Sequence, residues 1–428
     1  MIKKESRQVS TATFRWIRSI FVILWCHFSV SLLCFNVLFD LVFFGIPFHF
    51  FRWIGAFSEE KFACYINKLI NWTTPIVLST PMVFSGTNIY CNNIDLLFES
   101  KSDNSLLLAN HGSRIDWMVG MFCGYTTDVG GKSCARNRVG FVCEGILQFM
   151  PIVGWYRKFI NNDIFVWRSF RQDKPTIENN IAQFHRVGAK RMLFLSPEGV
   201  IVDFSEQDKE YIKSCQKFCV SQGYNAFDYV LTPRYKGTSC LANQVVSGGP
   251  IVSICVAYVQ CGKLLNCKLL SENRVVPDIY TMNQGIGGKP IDIYIDLVKL
   301  PSIENEPDAK KYLFLDYQRK DKLLSNWDIQ IAKDIDTFSS KFTILNKNKS
   351  DAVFAHIYHG VMMVGMSMWF GQAELLVRSF FILLFLVCAC HTFGWMMNST
   401  SMESVPFETG IKAALIYLSK KKSGKSKK

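Results

Sequence analysis

Short apolar runs separated by amphipathic stretches occupy the middle of the chain. Leu106–Ala109, Val139–Val142, Ile164–Trp167, Met192–Leu195, Ile251–Val259 and Ile291–Leu297 each have the length of a strand. The last alternates, Ile291, Ile293 and Ile295 against Asp292, Tyr294 and Asp296, which predicts a strand with one wet face. Lys174–Val187 and Ser205–Gln222 lie between the runs with helical spacing, Tyr65–Leu78 precedes them, and the charged stretch 308–345 reads as helix. Strands alternating with helices predict an α/β domain over residues 61–345, with a mixed, mostly parallel sheet flanked by helices.

The two ends carry a different pattern. Ser19–Phe39 has no charged residue over 21 positions, enough to span a bilayer core. Asp40 interrupts, and Leu41–Phe51 is apolar again for 11 residues around Pro47, which predicts a re-entrant or interfacial segment. Residues 1–60 therefore read as a membrane anchor, with a buried globular helix as the alternative. Residues 346–428 hold two further membrane candidates, 354–377 and 379–397, before a basic tail.

Charge sharpens this reading. The net charge is +13, but six lysines lie between Lys420 and Lys428, so the body carries about +7 (13 minus 6). A basic body with apolar ends points to anionic lipid surfaces. No basic stripe with interleaved aromatics is present, so nucleic acid is not an expected partner. The fifteen cysteines sit mostly in apolar runs without a CxxC pair. Reduced, buried thiols are expected, and neither a disulfide framework nor a zinc site.

Candidate chemistry begins just after Leu106–Ala109, at Asn110-His111-Gly112-Ser113-Arg114-Ile115-Asp116-Trp117. On a continuous helix, residues five apart point about 140° away from each other. His111 and Asp116 meet only if the histidine lies in a loop and the aspartate in the first turn of the next helix. A carboxylate there holds one imidazole nitrogen and leaves the other for a substrate, the arrangement of a general base with its orienter. The alternative is a capping box, with Ser113 as N-cap and Asp116 three residues on. Three more candidates follow strands, where α/β folds place ligands. Arg168 follows Ile164–Trp167 and offers a phosphate fork. Glu198 and Gly199 form a turn after Met192–Leu195, where Glu198 either accepts from a polyol hydroxyl or pairs with Arg168. Arg234, after Pro233, is a further cation.

Other motifs fail. Gly131-Lys132-Ser133 has Thr126 where a P-loop needs its first glycine, and no G-x-S-x-G elbow occurs. The order Asn110-His111-x4-Asp116-Trp117, Gly154-Trp155, Ile164-Phe165-Val166-Trp167-Arg168, Pro197-Glu198-Gly199 and Pro233-Arg234 resembles the glycerolipid acyltransferases (PlsC-like). With Val256-Ala257-Tyr258, it resembles their 1-acylglycerol-3-phosphate and lysocardiolipin branch. The resemblance covers about Phe51 to Trp327.

The resemblance implies transfer of a fatty acyl chain from acyl-CoA to the free hydroxyl of a lysophospholipid, at a membrane. His111 would be the base and Asp116 its orienter. Arg168, Glu198, Gly199 and Arg234 would bind substrate. No metal and no cofactor are implied beyond acyl-CoA as co-substrate. The partners are acyl-CoA, lysophospholipid and membrane lipids. The implied location is the endoplasmic reticulum membrane, with a mitochondria-associated or outer membrane as the alternative. Three positions depart from the pattern: Ser196 stands for an aromatic residue, Val200 for a threonine and Gly112 for an arginine. The change at Val200 keeps a second reading open, a catalytically impaired lipid-binding protein of the same fold.

Overall fold

The computed structural model describes residues 21–22, 24–78, 81–82, 84–99, 104–126, 139–161, 163–186, 191–203, 205–245, 249–283, 285, 288–345, 353–354 and 356–361. One helix among them is long and apolar enough to cross a membrane, Leu24–Trp53, and 61% of its apolar window is buried. The break expected at Asp40 is absent. The helix instead widens into a π turn over Leu41–Gly45, where the N–H of Ile46 reaches Leu41 O, five residues back. Pro47 follows at once, in the first turn of Ile46–Trp53. Proline has no N–H to give and its ring crowds the carbonyl four residues back. A change of hydrogen-bond register just before it lets the helix continue. Asp40 is buried and meets His359 Nε2 at 3.0 Å, and Asn36 meets His356 at 3.1 Å. Of the expected segment 354–377 only residues 354 and 356–361 are described, and 379–397 lies outside the described residues.

Among the described residues the domain has nine strands: β1 Ile89–Asn92, β2 Ser105–Ala109, β3 Val139–Glu144, β4 Ile164–Val166, β5 Met192–Leu195, β6 Ile251–Gln260, β7 Lys263–Leu264, β8 Ile291–Leu300 and β9 Thr343–Ile344. Their order in the sheet is β4-β3-β5-β2-β6-β8-β1-β9, with β7 on β6. From β4 to β6 every neighbour is parallel, with Leu108 opposite Leu195 and Ala109 opposite Ile254. β8 runs antiparallel to β6 over ten residues, and β1 is parallel to β8. The sheet is mixed and mostly parallel, as the spacing of apolar runs predicts.

Alternation along β2 divides the interior. Leu107 and Ala109 face one core with Ile115, Met118 and Phe122 of the helix Asp116–Tyr125. Leu106 and Leu108 face the other, with Ile177 and Ile181 of Phe170–Arg186 and Leu313 and Phe314 of Glu306–Lys333. The faces follow the direction of the crossovers. β2→β3 and β3→β4 move one way across the sheet and pack helices on the first face, while β4→β5 and β5→β6 move the other way and use the second. That is what right-handed connections require. The neighbours β2 and β5 therefore send their chains to opposite faces, and a crevice opens at their carboxyl ends.

β8 corrects one expectation. Tyr294 is fully buried, not wet. Its ring stacks on Tyr90 at 4.6 Å and 5°, and its hydroxyl meets Ser339 at 2.6 Å. The short helix Ile335–Ser339 and Phe342 cover this face, and the aromatic surface they remove from water outweighs the alternation.

The helix Glu306–Lys333 also grips the end of β2. Lys320 is fully buried, donates to Leu108 O at 2.8 Å and pairs with Asp316 at 3.0 Å. Tyr317 donates to Ala109 O at 3.3 Å. Without Lys320, the buried Asp316 carboxylate keeps Arg319, at 3.2 Å, and loses its fully buried partner, a costly change for a buried charge. Lys320→Met should lower unfolding stability by about 3 kcal/mol, with a smaller loss when Asp316→Leu is combined with it. Equilibrium unfolding of the two variants checks this.

Candidate active site

The loop leaving β2 is pinned before it turns. Asn110 presents its side-chain amide to β6 like one more peptide group: Nδ2 donates to Val256 O at 3.0 Å and Oδ1 accepts from Val256 N at 2.7 Å. His111 follows in the loop and Asp116 opens the helix Asp116–Tyr125, so the two meet as the spacing requires. Nδ1 of His111 lies 2.8 Å from Asp116 Oδ2. With Nδ1–H donating to the carboxylate, the neutral ring carries its lone pair on Nε2. The Asp116 side chain is 3% exposed and that of His111 24%, so the carboxylate is sealed and the ring reaches solvent.

The capping-box alternative is only half formed. Asp116 Oδ2 accepts from the Ser113 N–H at 3.2 Å. Ser113 Oγ, however, donates to Pro277 O at 2.8 Å and accepts from the Ile115 N–H at 3.0 Å, not from Asp116. The serine ties the turn to a distant loop, and the carboxylate is left for His111.

Glu198 sits across the crevice, 3% exposed. Gly199 takes the left-handed conformation (φ +73°) that closes the turn, with its N–H on Ser196 O at 3.0 Å. The pairing of Glu198 with Arg168 is not made, since Arg168 pairs with Glu144 instead. Glu198 Oε1 accepts from the His111 N–H at 2.9 Å and its Oε2 from the Leu231 N–H at 3.3 Å. It joins the His111 loop to the β5 turn and to the stretch leading to Arg234. Burial pushes its carboxyl up to about 7, against the opposing pull of the His111 N–H and of the charges on His111 and Arg274.

Arg168 and Arg234 form a second group around Glu144, at the end of β3. Arg168 has φ +63°, a strained conformation for arginine. The Asp173 carboxylate holds the turn there by accepting from the Trp167 N–H at 2.6 Å. Arg168 pairs with Glu144 at 3.4 Å, both side chains being partly exposed. Arg234 reaches Tyr211 at 3.1 Å, and its backbone N–H bonds Pro197 O at 2.8 Å. Burial pushes the Glu144 carboxyl up, while Arg168 and then Arg234 draw it down. Hydrogen bonds thus unite His111, Asp116 and Glu198, while Arg168 and Arg234 share Glu144. The Pro197–Gly199 turn links the groups.

Several further members are not among the candidate site residues of the sequence. Tyr258, on β6, donates its hydroxyl to Asp116 Oδ1. Asn266 accepts from the Tyr258 N–H at 3.0 Å and donates to Val256 O at 3.0 Å. A Cβ at Gly112 would stand 2.7 Å from Asn266 Nδ2, so the asparagine fills the space an arginine there would need. Arg274 donates to Cys267 O. Burial pulls its pKa down, and the charges of Glu198, Asp116 and Asp203 act against that. Tyr258 meets Asp116 across 142 positions, and Asn266 and Arg274 reach the site only through the fold of the loop that follows β6, which no local spacing reports. Among the described residues no group of three or more His, Cys, Asp or Glu could hold a metal ion.

Glu198 makes stability depend on pH. Its carboxyl is raised from 4.5 to about 7, so the folded chain binds this proton more tightly than the unfolded chain. The corresponding stability is present below about pH 4.5 and is lost as pH rises through 7. Thermal unfolding between pH 5 and 8 should show a decline of up to about 3 kcal/mol from this group. Glu198→Gln should flatten it. The same change should cost about 1–3 kcal/mol, because an amide cannot accept from both the His111 and the Leu231 N–H.

Comparison with known proteins agrees with the motif order. Residues 89–257 match the family model described as Acyltransferase. The chain is 26% identical to probable 1-acyl-sn-glycerol-3-phosphate acyltransferase 5 of Arabidopsis thaliana, over 66% of this chain and 63% of that protein. It is 27% identical to lysocardiolipin acyltransferase 1 of Mus musculus, over 36% of this chain and 39% of that one. In both, the match spans less than two thirds of the relative's length. A crystal structure of the 1-acyl-sn-glycerophosphate (LPA) acyltransferase PlsC from Thermotoga maritima aligns at 16% identity and a TM-score of 0.33, over 72% of this chain and 98% of that chain. The resemblance read from the motifs is borne out by the family model and by these relatives, the model matching over residues 89–257.

Proposed function

We propose that this chain transfers a fatty acyl group from acyl-CoA to the free hydroxyl of a lysophospholipid, lysophosphatidic acid or lysocardiolipin being the classes named for its relatives. The observation that carries the reading is the 2.8 Å bond from His111 Nδ1 to the sealed carboxylate of Asp116, made at the crevice where β2 and β5 part. Among the described residues, Nε2 makes no hydrogen bond. An acceptor hydroxyl placed on it gives up its proton as its oxygen attacks the thioester carbonyl. The C–O bond forms, the C–S bond breaks, and the imidazolium returns the proton to the departing sulfur. Asp116 keeps the ring in one tautomer and balances the imidazolium. Attack is direct, so no nucleophilic side chain is required.

Arg168 and Arg234 supply the cations for the acceptor phosphate. Each guanidinium has a forked face, and Glu144, lying between them, holds them in register until a stronger anion arrives. Glu198 and Gly199 shape the same pocket from below: one fixes the His111 backbone, the other leaves room beside Arg234, whose Cδ would lie 3.5 Å from a Cβ at residue 199. Val200, in the threonine position, packs with Val202, Ile212, Leu231 and Leu269. Its side chain serves a small apolar cluster, so the departure leaves the His111–Asp116 pair intact. The helix Leu24–Trp53 supports attachment to a membrane. It ends in Phe50, Phe51, Trp53 and Ile54, all exposed and Trp53 81% so, beside Arg52. The location proposed with this reading is the endoplasmic reticulum membrane, with a mitochondria-associated or outer membrane as the alternative.

His111→Ala should lower acyl transfer by about 10²–10⁴-fold without changing membrane recovery. Isolated membranes, labelled acyl-CoA and a panel of lysophospholipids provide the assay; undiminished turnover in the variant would discard the mechanism, and absence of transfer by the wild type would favour a lipid-binding protein. Arg168→Lys keeps the charge and loses the fork. It should raise the KM for acceptor several-fold more than the KM for acyl-CoA. Kinetics in which both Michaelis constants move together would assign Arg168 elsewhere.

A further inference from the structure

The carboxylate of Asp116 is held by more than its histidine. Oδ2 serves His111 Nδ1 and the Ser113 N–H, at 2.8 and 3.2 Å. Oδ1 takes the hydroxyl of Tyr258, a residue 142 positions away and fully buried. The fold makes this contact inevitable once β6 is in register. Tyr258 lies opposite Ile293 of β8, two residues past Val256, which is locked to Asn110. Val252, Ile254, Val256 and Tyr258 share the core face that also receives Met118 and Phe122 of the helix Asp116–Tyr125. The ring is therefore delivered beneath the first turn of that helix. Its backbone N–H is fixed by Asn266 at 3.0 Å.

We infer that Tyr258 is a positioning residue of the proposed acyl transfer, holding Asp116 by its second oxygen and taking up part of the carboxylate's charge. This rests on the function proposed above. Two consequences follow from the geometry. A carboxylate on a single hydrogen bond can rotate about its Cβ–Cγ bond, whereas one anchored at both oxygens presents Oδ2 to the imidazole at a fixed angle. Donors that share one carboxylate also divide its charge, so each weakens the pull on the others. With Tyr258 in place, Asp116 orients His111 without holding the imidazolium so tightly that its proton is withheld from the leaving sulfur. The phenol stays a donor throughout, because burial first, and then the charge of Asp116, pushes its ionisation well above the ordinary range.

Tyr258→Phe removes the donor and keeps the ring. The charge it held returns to the His111 side, so the imidazolium is favoured. The acid limb of kcat/KM against pH should move up by about half a unit to one unit, and kcat at neutral pH should fall. The far-downfield proton resonance of the His111 Nδ1–H, assigned by its loss in His111→Ala, should move further downfield. Site-specific 3-fluorotyrosine at position 258 is a stronger donor of almost the same size and should move both readouts the opposite way. That second variant answers the case in which the phenylalanine protein does not fold. A role in packing alone predicts a uniform loss of activity, with the pH limb and the resonance unmoved in both variants, and that result would overturn the inference. If the wild type transfers no acyl group to any lysophospholipid tested, the proposed function fails, and the resonance still decides whether Tyr258 acts on the pair.

Discussion

One buried carboxylate, that of Glu198, accepts backbone N–H groups from His111 and from Leu231, and the site is assembled around those two bonds. β2 and β5 are neighbours whose chains leave to opposite faces of the sheet, so nothing in the strand ladder fixes one loop against the other. The two acceptor oxygens supply that link. They suit an ionised group, while burial favours the neutral one, and the balance brings the carboxyl to about 7. A strut made this way is strong in a dry site and weak in a wet one, so exclusion of water from the crevice and the position of His111 are the same constraint.

Three buried polar side chains behind the site share one pattern. Each bonds to backbone groups at the carboxyl end of β2 or of its neighbour β6. Asn110 mimics a peptide group toward β6, Lys320 meets Leu108 O and Tyr317 meets Ala109 O. A strand end next to a binding crevice has unpaired carbonyls by construction. Here side chains on rigid elements satisfy them, which gives the loop a fixed starting direction.

The sequence made the strands legible where an apolar run was bounded by breakers. Met192–Leu195 is the strand it predicts, and Ile251–Val259 needs one more residue. β1 was not legible, because four residues among asparagines have no periodicity of their own and gain their place from β8. Tyr294 misled because a polar-looking alternation cannot announce an aromatic cover assembled from residues about 45 positions later. Pro47 misled because a π turn can carry a helix past a proline. At the site, His111 and Asp116 were legible because their spacing excludes a helix and fits a loop followed by a helix. Glu198 was legible as a residue and not as a contact, since its partners are backbone groups. Tyr258, Asn266 and Arg274 were not legible as site members at all. Their roles exist only after β6, its following loop and the His111 turn have been folded onto one another.

The segment from Asn266 to Pro277 and the helix Glu306–Lys333 both lie after residue 257, where the family match ends. Yet Pro277 receives Ser113, Asn266 fixes the Tyr258 backbone, and Lys320 closes the end of β2. The recognisable unit and the physical unit therefore differ. A fragment cut at the boundary of the match would keep the motifs from Asn110 to Arg234 and lose the scaffold that aims them. Transplanting this site into another protein would mean moving the later third of the domain with it, because the information that orients the histidine is stored there.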